Sequence, residues 1–242
     1  MLTFSIAQWQ GWTQGFQDPD GWLDWAEHPY CPIGDQSAPR LDFLPPMQRR
    51  RLSPLARAVF ACAWPLADAH AGMPLVFASR HGETTRNFGL LQSLAADEPL
   101  SPTAFGLSVH NAIAAQWSII RRETAESVAL SVEDDGLEHA FIEAAMLFEQ
   151  GHENVLVVLA EEQPPAPYAP WIKDVPVSYA AAFRLCPGTD WTLALGPPPG
   201  GDDEAAAQLW PNPLSLLRHL TLRTPSWRHA NRARAWTWTR TP

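Results

Sequence analysis

Apolar and polar positions change period several times along this chain, and each change marks an element. Leu2 to Trp9 reads as an opening strand, and Met73 to Ser79 as a second. Val128 to Val132 is a third, short and partly β-branched. Val155 to Leu159 is apolar at every position, the pattern of a strand buried on both faces. Between the third and fourth strands, Leu137, Ala140, Phe141, Ala144, Ala145 and Phe148 recur at helical spacing up to Gly151. The stretch from Arg121 to Glu162 therefore predicts strand, sharp turn, helix and strand. Asp134 and Asp135 stand at the helix N-terminus, where anions are stabilised.

Elsewhere, Ser-Pro pairs announce helices, with Ser as N-cap and Pro in the first turn. Ser53-Pro54 opens one that runs to about Ala69. Ser101-Pro102 opens another through Phe105, Val109, Ile113 and Ile120, whose apolar surroundings predict a central, buried helix. Thr84 to Ala95 is a further helix. Gly11 to Pro46 has no period and reads as an ordered loop held by Trp12, Trp22 and Trp25. Pro164 to Pro176 is a Pro-rich connector. Val177 to Leu185 and Thr192 to Leu195 read as an antiparallel pair around the turn Pro187-Gly188-Thr189-Asp190. Pro197 to Asp203 is a loop, Leu214 to Leu222 is helical, and Arg232 to Arg240 alternates as a strand with one amphipathic face.

Composition narrows the classes. At 242 residues, one large domain can bury roughly 70% of its unfolded surface. The 24 Pro and 12 Trp predict stiff loops plugged by aromatics. A net charge of −9 argues against nucleic acid as the main partner. The three cysteines, Cys31, Cys62 and Cys186, have no metal spacing and leave one unpaired, which favours a reducing compartment. The start has no leader pattern and no run approaches a membrane span, so a soluble, cytoplasmic protein is expected. Six arginines and no acid follow Glu204, a basic, aromatic tail expected to fold onto the acidic body or a partner. Arg49-Arg50-Arg51 reads either as a solvated face or as a contact for an acidic partner.

Three places could carry chemistry. A strand feeding a helix through a tight turn is where acyl-transfer enzymes hold a nucleophile, because the helix N-terminus lowers a thiol's pKa. Here that turn holds Glu133, Asp134 and Asp135, with neither Cys nor Ser. Ser108, His110 and Asn111 form a polar insert on the predicted buried helix. Ser108 and His110 are two apart and point to different sides, which favours bonds to neighbouring backbone over a Ser/His site. Lastly, Arg80-His81-Gly82-Glu83 after a strand is similar to the histidine phosphatase motif, in which His takes a phosphoryl group steadied by Arg. A long segment and a helix precede it, and no second His-Gly pair follows the later strand Val155 to Leu159. No metal cluster or Gly-rich phosphate loop is present, and neither metal nor cofactor is expected.

SRHGE at Ser79 to Glu83, SPTAFGLSVHNAIA at Ser101 to Ala114 and the unit Ser127 to Glu161 resemble β-ketoacyl synthase-like proteins. FLPPMQRRRLSPLARAVF at Phe43 to Phe60 and the terminal WTWTR fit the same family. The likeness is to short, amino-terminal-half members found with aryl polyene and xanthomonadin-type pigment pathways. It implies an α/β fold: one thiolase-like half, a mixed and mostly parallel sheet covered by helices, over residues 1–242, with a basic, aromatic extension (205–242) packed on it. By position the acyl-accepting Cys of active ketosynthases corresponds to Glu133. Their catalytic histidines belong to a second half that has no counterpart here.

The resemblance thus implies a catalytically inert subunit, like a chain-length factor, that pairs with an active ketosynthase in type II polyketide or fatty-acid-like synthesis. An acyl carrier protein would be a further partner. Ketosynthase dimers join through the strand before the nucleophile, which places the partner interface on Ser127, Val128, Ala129, Leu130, Ser131 and Val132. The helix Pro102 to Ile120 and the turn at Glu133 would complete that interface and a tunnel floor. Independently, a carboxylate at a helix N-terminus is a poor nucleophile toward a thioester, and Glu133 with Asp134 would repel a malonyl carboxylate. The alternative is a phosphoryl-transfer enzyme using Arg80, His81 and Glu83, with a deep anion pocket and a second His opposite His81.

Overall fold

The computed structural model describes residues 1–16, 18–32, 37–197, 210–231 and 234–241. Strand β1 (Leu2–Thr13) is followed by helix α1 (Pro19–Glu27), a short helix α2 (Pro46–Arg49) and helix α3 (Pro54–Ala67). Strand β2 (Leu75–Ser79) leads to α4 (Thr84–Ala95), α5 (Pro102–Gly106) and α6 (Ala112–Arg121). Strand β3 (Ser127–Ser131), helix α7 (Gly136–Glu149) and strand β4 (Val155–Glu161) come next. The long strand β5 (Tyr179–Gly196), helix α8 (Asn212–Thr221) and the hairpin of β6 (Ser226–Ala230) and β7 (Ala235–Arg240) complete the order.

Among the described residues seven strands form one mixed sheet, ordered β3-β2-β4-β5-β7-β6, with β1 also on β5. Parallel pairing is confined to β3-β2-β4; every other pairing is antiparallel. Strict alternation sorts the central strands onto two faces. Leu75, Phe77, Leu156, Val158, Ala180 and Ala182 pack with Leu55, Val59, Phe60 and Ala63 of α3 and with Ile113 and Trp117 of α6. Val76, Ala78, Val155, Val157, Ala181 and Phe183 pack with Leu137, Phe141 and Ala144 of α7 and Leu214 and Leu217 of α8. Because both faces are covered, β2 and β4 read as unbroken apolar runs. The strand β3 ends the sheet, and its outer edge pairs with no described strand.

The Ser-Pro starts hold: Ser53 accepts from the Ala56 N–H at 3.0 Å, and Ser101 from the Ala104 N–H at 3.2 Å. Three expectations are corrected. Gly11 to Pro46 contains the end of β1 and helix α1, which Asp18 caps by accepting from the Gly21 N–H at 2.8 Å. Trp22 of that helix is buried against β1 and Trp25 is buried against Trp22 and Trp210; Gly11 is what lets Trp22 approach, since a Cβ there would overlap its ring. The stretch 177–195 is no hairpin. Its residues 179–186 and 191–193 both pair with β1, and Pro187–Asp190 form a bulge opposite the Phe4/Ser5 register shift. Finally, residues 102–120 are not one buried helix. The α5 segment buries no residue, Phe105 is 63% exposed, and only α6 enters the core.

At the end of the chain, the amphipathic strand is β7, with Trp236 and Trp238 facing the core. Of the stretches read from sequence, residues 17, 33–36, 198–209, 232, 233 and 242 lie outside the described residues. The cysteines are all free, and no helix among the described residues is long and apolar enough to cross a membrane.

Candidate functional site

The parallel strands β2, β3 and β4 all point their carboxyl ends at one cleft of about 510 Å³. In open α/β sheets that end is where ligands and chemistry gather. The turn after β3 forms one wall. It is tight, the Gly136 N–H bonding the Glu133 carbonyl at 2.9 Å, and a Cβ on Gly136 would overlap the Val132 side chain. Of the three turn acids, Glu133 and Asp134 face solvent, with side chains 81% and 54% exposed. Both lean toward the Arg80 guanidinium, at 3.9 and 3.7 Å.

Asp135 is different. It is buried at the N-cap position of α7 but makes no cap bond with its side chain. It accepts instead from Trp236 Nε1 at 3.1 Å and pairs with Arg234 at 2.6 Å. One turn on, Glu138 is fully buried and accepts from Trp238 Nε1, Asn212 Nδ2 and His229 Nδ1, each at 3.1 Å. The basic, aromatic tail therefore folds onto the acids of this chain's own helix α7. Burial opposes the charge on His229, but its hydrogen bond to Glu138 and the charges of Glu138, Asp135 and Asp134 raise its pKa above 6.5. Asn212, Arg228 and His229 line the cleft wall opposite the turn.

The cleft floor is formed at the carboxyl ends of β2 and β4 themselves. Glu161, at the end of β4, accepts from the backbone N–H groups of Arg80 and His81. Burial raises its pKa to about 7 against those bonds and the charge of His81. Its neighbour Glu162 is also raised to about 7, by burial and by the charge of Glu83. Asp174 accepts from Arg80 at 3.2 Å and lies 2.9 Å from His81 Nε2. Its burial works against a lowered pKa, but the His81 hydrogen bond and the charges of His81 and Arg80 win.

This arrangement does not support the phosphoryl-transfer alternative. Arg80 is ringed by the carboxylates of Glu133, Asp134 and Asp174, which would repel a phosphoryl group, and the His81 imidazole is held by Asp174. Glu83 is buried away from that surface, accepting from Ser53 Oγ at 2.6 Å and pairing with Arg86 at 3.2 Å. The polar insert is also corrected: Ser108, His110 and Asn111 lie in the break between α5 and α6, not on a helix. Ser108 Oγ donates to the Phe105 carbonyl at 2.8 Å, His110 Nε2 lies 2.8 Å from the Ser79 carbonyl, and Asn111 is exposed. These bonds to backbone are what the local spacing favoured. No group of acids, histidines and cysteines among the described residues could hold a metal ion.

The sheet brings Arg80, Glu133, Asp134 and the strand 127–131 together, and keeps Ser108, His110 and Glu83 apart from them. Sequence reasoning missed Glu138, Glu161, Asp174, Asn212 and His229. Glu161 and Glu162 had a legible signal, two acids directly after an all-apolar strand. Glu138 stood within the apolar face of α7, a mismatch that called for buried donors. Asp174, in a Pro-rich connector, carried no pattern.

An α/β sheet whose parallel strands converge on a strand–turn–helix junction is the architecture of a thiolase-like half-domain, here with carboxylates at the junction. The chain belongs to the β-ketoacyl synthase N-terminal domain family, which matches residues 22–239. Among solved structures it is similar to a chain of the ketosynthase (ApeO) in complex with its chain length factor (ApeC) from Xenorhabdus doucetiae. The TM-score is 0.87 at 29% identity, over 99% of this chain and 100% of that one. The ishigamide ketosynthase/chain length factor shares the fold at 15% identity and TM-score 0.61, over 81% of this chain and 68% of that one. So does a type II polyketide acyl-carrier protein complex with its ketosynthase, AntDE:AntF, at 13% identity and TM-score 0.57, over 81% and 70%. No curated protein matches by sequence.

Proposed function

We propose that this protein is a non-catalytic ketosynthase-like subunit, comparable to a chain-length factor, that pairs with an active ketosynthase making an aryl polyene or related polyketide chain. The observation that carries this reading is the outer edge of β3, which pairs with no described strand and ends at a turn whose residues are acids. A free edge is a template for another strand, so Ser127 to Val132 are assigned to the partner. Exposed apolar residues on the segments leading into β3 support the assignment: Phe105 of α5, Val109, and Ile119 of α6. A partner covering them would bury roughly 2,000 Å² or more in total, and the same residues would line one side of the space receiving the growing chain.

The turn supports inertness. Glu133 and Asp134 offer no sulfur to acylate, and the hydrogen bonds of Asp135 and Glu138 are committed to the C-terminal hairpin. The structural likeness fits: these 242 residues span the whole of the matched chain in a ketosynthase/chain length factor complex. Co-expression with a cognate ketosynthase tests the reading. A stable one-to-one complex by size exclusion, with condensation of acyl and malonyl thioesters only when the ketosynthase is present, is expected. Two separate peaks, or condensation by this subunit alone, would contradict it.

A further inference from the structure

The cleft between the turn acids and the C-terminal hairpin has two unlike walls and a buried hydroxyl without a partner. Tyr179, the first residue of β5, is 6% exposed and lines the cleft, yet its hydroxyl makes no hydrogen bond to a described residue. Buried hydroxyls are normally paired. Burial first, and then the charges of Glu161 and Asp174, raise its pKa well above 10, so it stays a neutral phenol. A ligand group suited to a phenol oxygen that has two carboxylates for neighbours is an ammonium, which has three N–H donors to give.

The charges around it agree. On the Tyr179 side, Glu133, Asp134 and Asp174 share one guanidinium, that of Arg80, at 3.9, 3.7 and 3.2 Å. Three carboxylates on one guanidinium leave that side negative, even with His81 at 2.9 Å from Asp174. The facing wall is the reverse. There Arg228 donates to the Pro197 carbonyl at 3.2 Å and pairs with no acid among the described residues, and His229 keeps its Nδ1 on Glu138 and Asn212. Between the two lie the apolar side chains of Leu137, Leu159, Val175 and Trp210. A cleft of about 510 Å³ is about 8 Å across when equal-sided, the reach of one small zwitterion with a hydrogen bond of about 2.9 Å at each end.

We propose that this cleft binds a free amino acid with an apolar side chain, its ammonium held at Tyr179 and Asp174 and its carboxylate at Arg228. A ligand carrying only one of the two charges leaves one wall unmatched. The assignment is independent of pairing at β3, since Tyr179, Asp174 and Arg228 lie off that strand. Isothermal titration calorimetry on the full chain at pH 7 tests it with L-phenylalanine and L-leucine, with N-acetyl-L-phenylalanine, which lacks the ammonium, and with L-phenylalaninamide, which lacks the carboxylate. Saturable one-to-one binding of a free amino acid is expected, about tenfold or more tighter than either blocked form, and weakened about tenfold by Tyr179→Phe or by Arg228→Gln. The first substitution removes a hydroxyl with no partner to lose, so the thermal melt should be unchanged; the second, at an exposed residue, repeats the test from the other wall. Binding of neither amino acid, equal binding of either blocked form, or an affinity indifferent to either substitution would overturn the proposal.

Discussion

Replacing Glu138 with alanine tests whether the C-terminal hairpin is held by a buried carboxylate or merely by sheet pairing and aromatic packing. The side chain is 0% exposed, and its oxygens accept from three donors on two separate C-terminal segments. Truncation would strand Trp238 Nε1, inside a cluster with Phe4, Phe141 and Trp227, and would leave Asn212 Nδ2 and the His229 imidazole only each other, 2.9 Å apart. Each buried donor left unmet costs about 1–3 kcal/mol, and removing one side of a buried charge pair about 3–5 kcal/mol. Because the three share one acceptor, the losses do not simply add; about 4 kcal/mol is the expected total. For a chain of this size that lowers Tm by roughly 10 °C.

Urea unfolding followed by tryptophan fluorescence reads it out, with Glu138→Gln, which keeps one acceptor oxygen, losing less. The His229 contribution should vanish with the carboxylate. Its folded pKa is raised, so its stabilisation is full below about pH 6.5 and is lost as pH rises through the folded value. The slope that it adds above pH 6.5 is therefore absent from the alanine variant. A loss below about 1 kcal/mol, or an unchanged pH slope, would refute the reasoning.

Other outcomes follow from the same geometry. Glu161 and Glu162 have folded pKa values raised from 4.5 to about 7, so their contribution is complete below pH 4.5 and falls away as pH rises to 7 and above; Glu161→Gln should flatten that decline in a pH series of thermal melts. Gly136→Val should destabilise by about 1–3 kcal/mol, since the added side chain meets Val132 in the turn, measured by chemical denaturation. Ser53→Ala should cost about 1–3 kcal/mol by removing both the α3 cap and a donor to buried Glu83. The same variant should show no change in phosphatase activity on p-nitrophenyl phosphate, which is expected to be nil throughout.

The sequence revealed the parts of this fold whose burial is two-sided or whose caps are explicit. The strands β2 and β4 and the helix α7 were legible because both faces of the sheet are covered, and α3 because Ser53-Pro54 is a strong start. The failures have physical causes. Pro187-Gly188 reads as a turn, yet β1 spans the bulge and keeps β5 running straight. The apolar text of 102–120 reads as a buried helix, yet the chain breaks between α5 and α6 and leaves Phe105 in solvent, which periodicity alone does not report. The acids at 133–135 were visible, but their division was not. The hairpin's Trp236 and Arg234, about a hundred residues away in sequence, bond the buried Asp135, while Glu133 and Asp134 stay outside.

Hydrogen exchange on β3 tests the central claim most directly. In the isolated subunit, the amides of residues 127–131 facing the open edge should exchange fast while those bonded to β2 are slow. On addition of the ketosynthase the edge-facing amides should become protected and α3 should stay unchanged. A complex that forms without slowing any amide of residues 127–131 would contradict pairing through this strand.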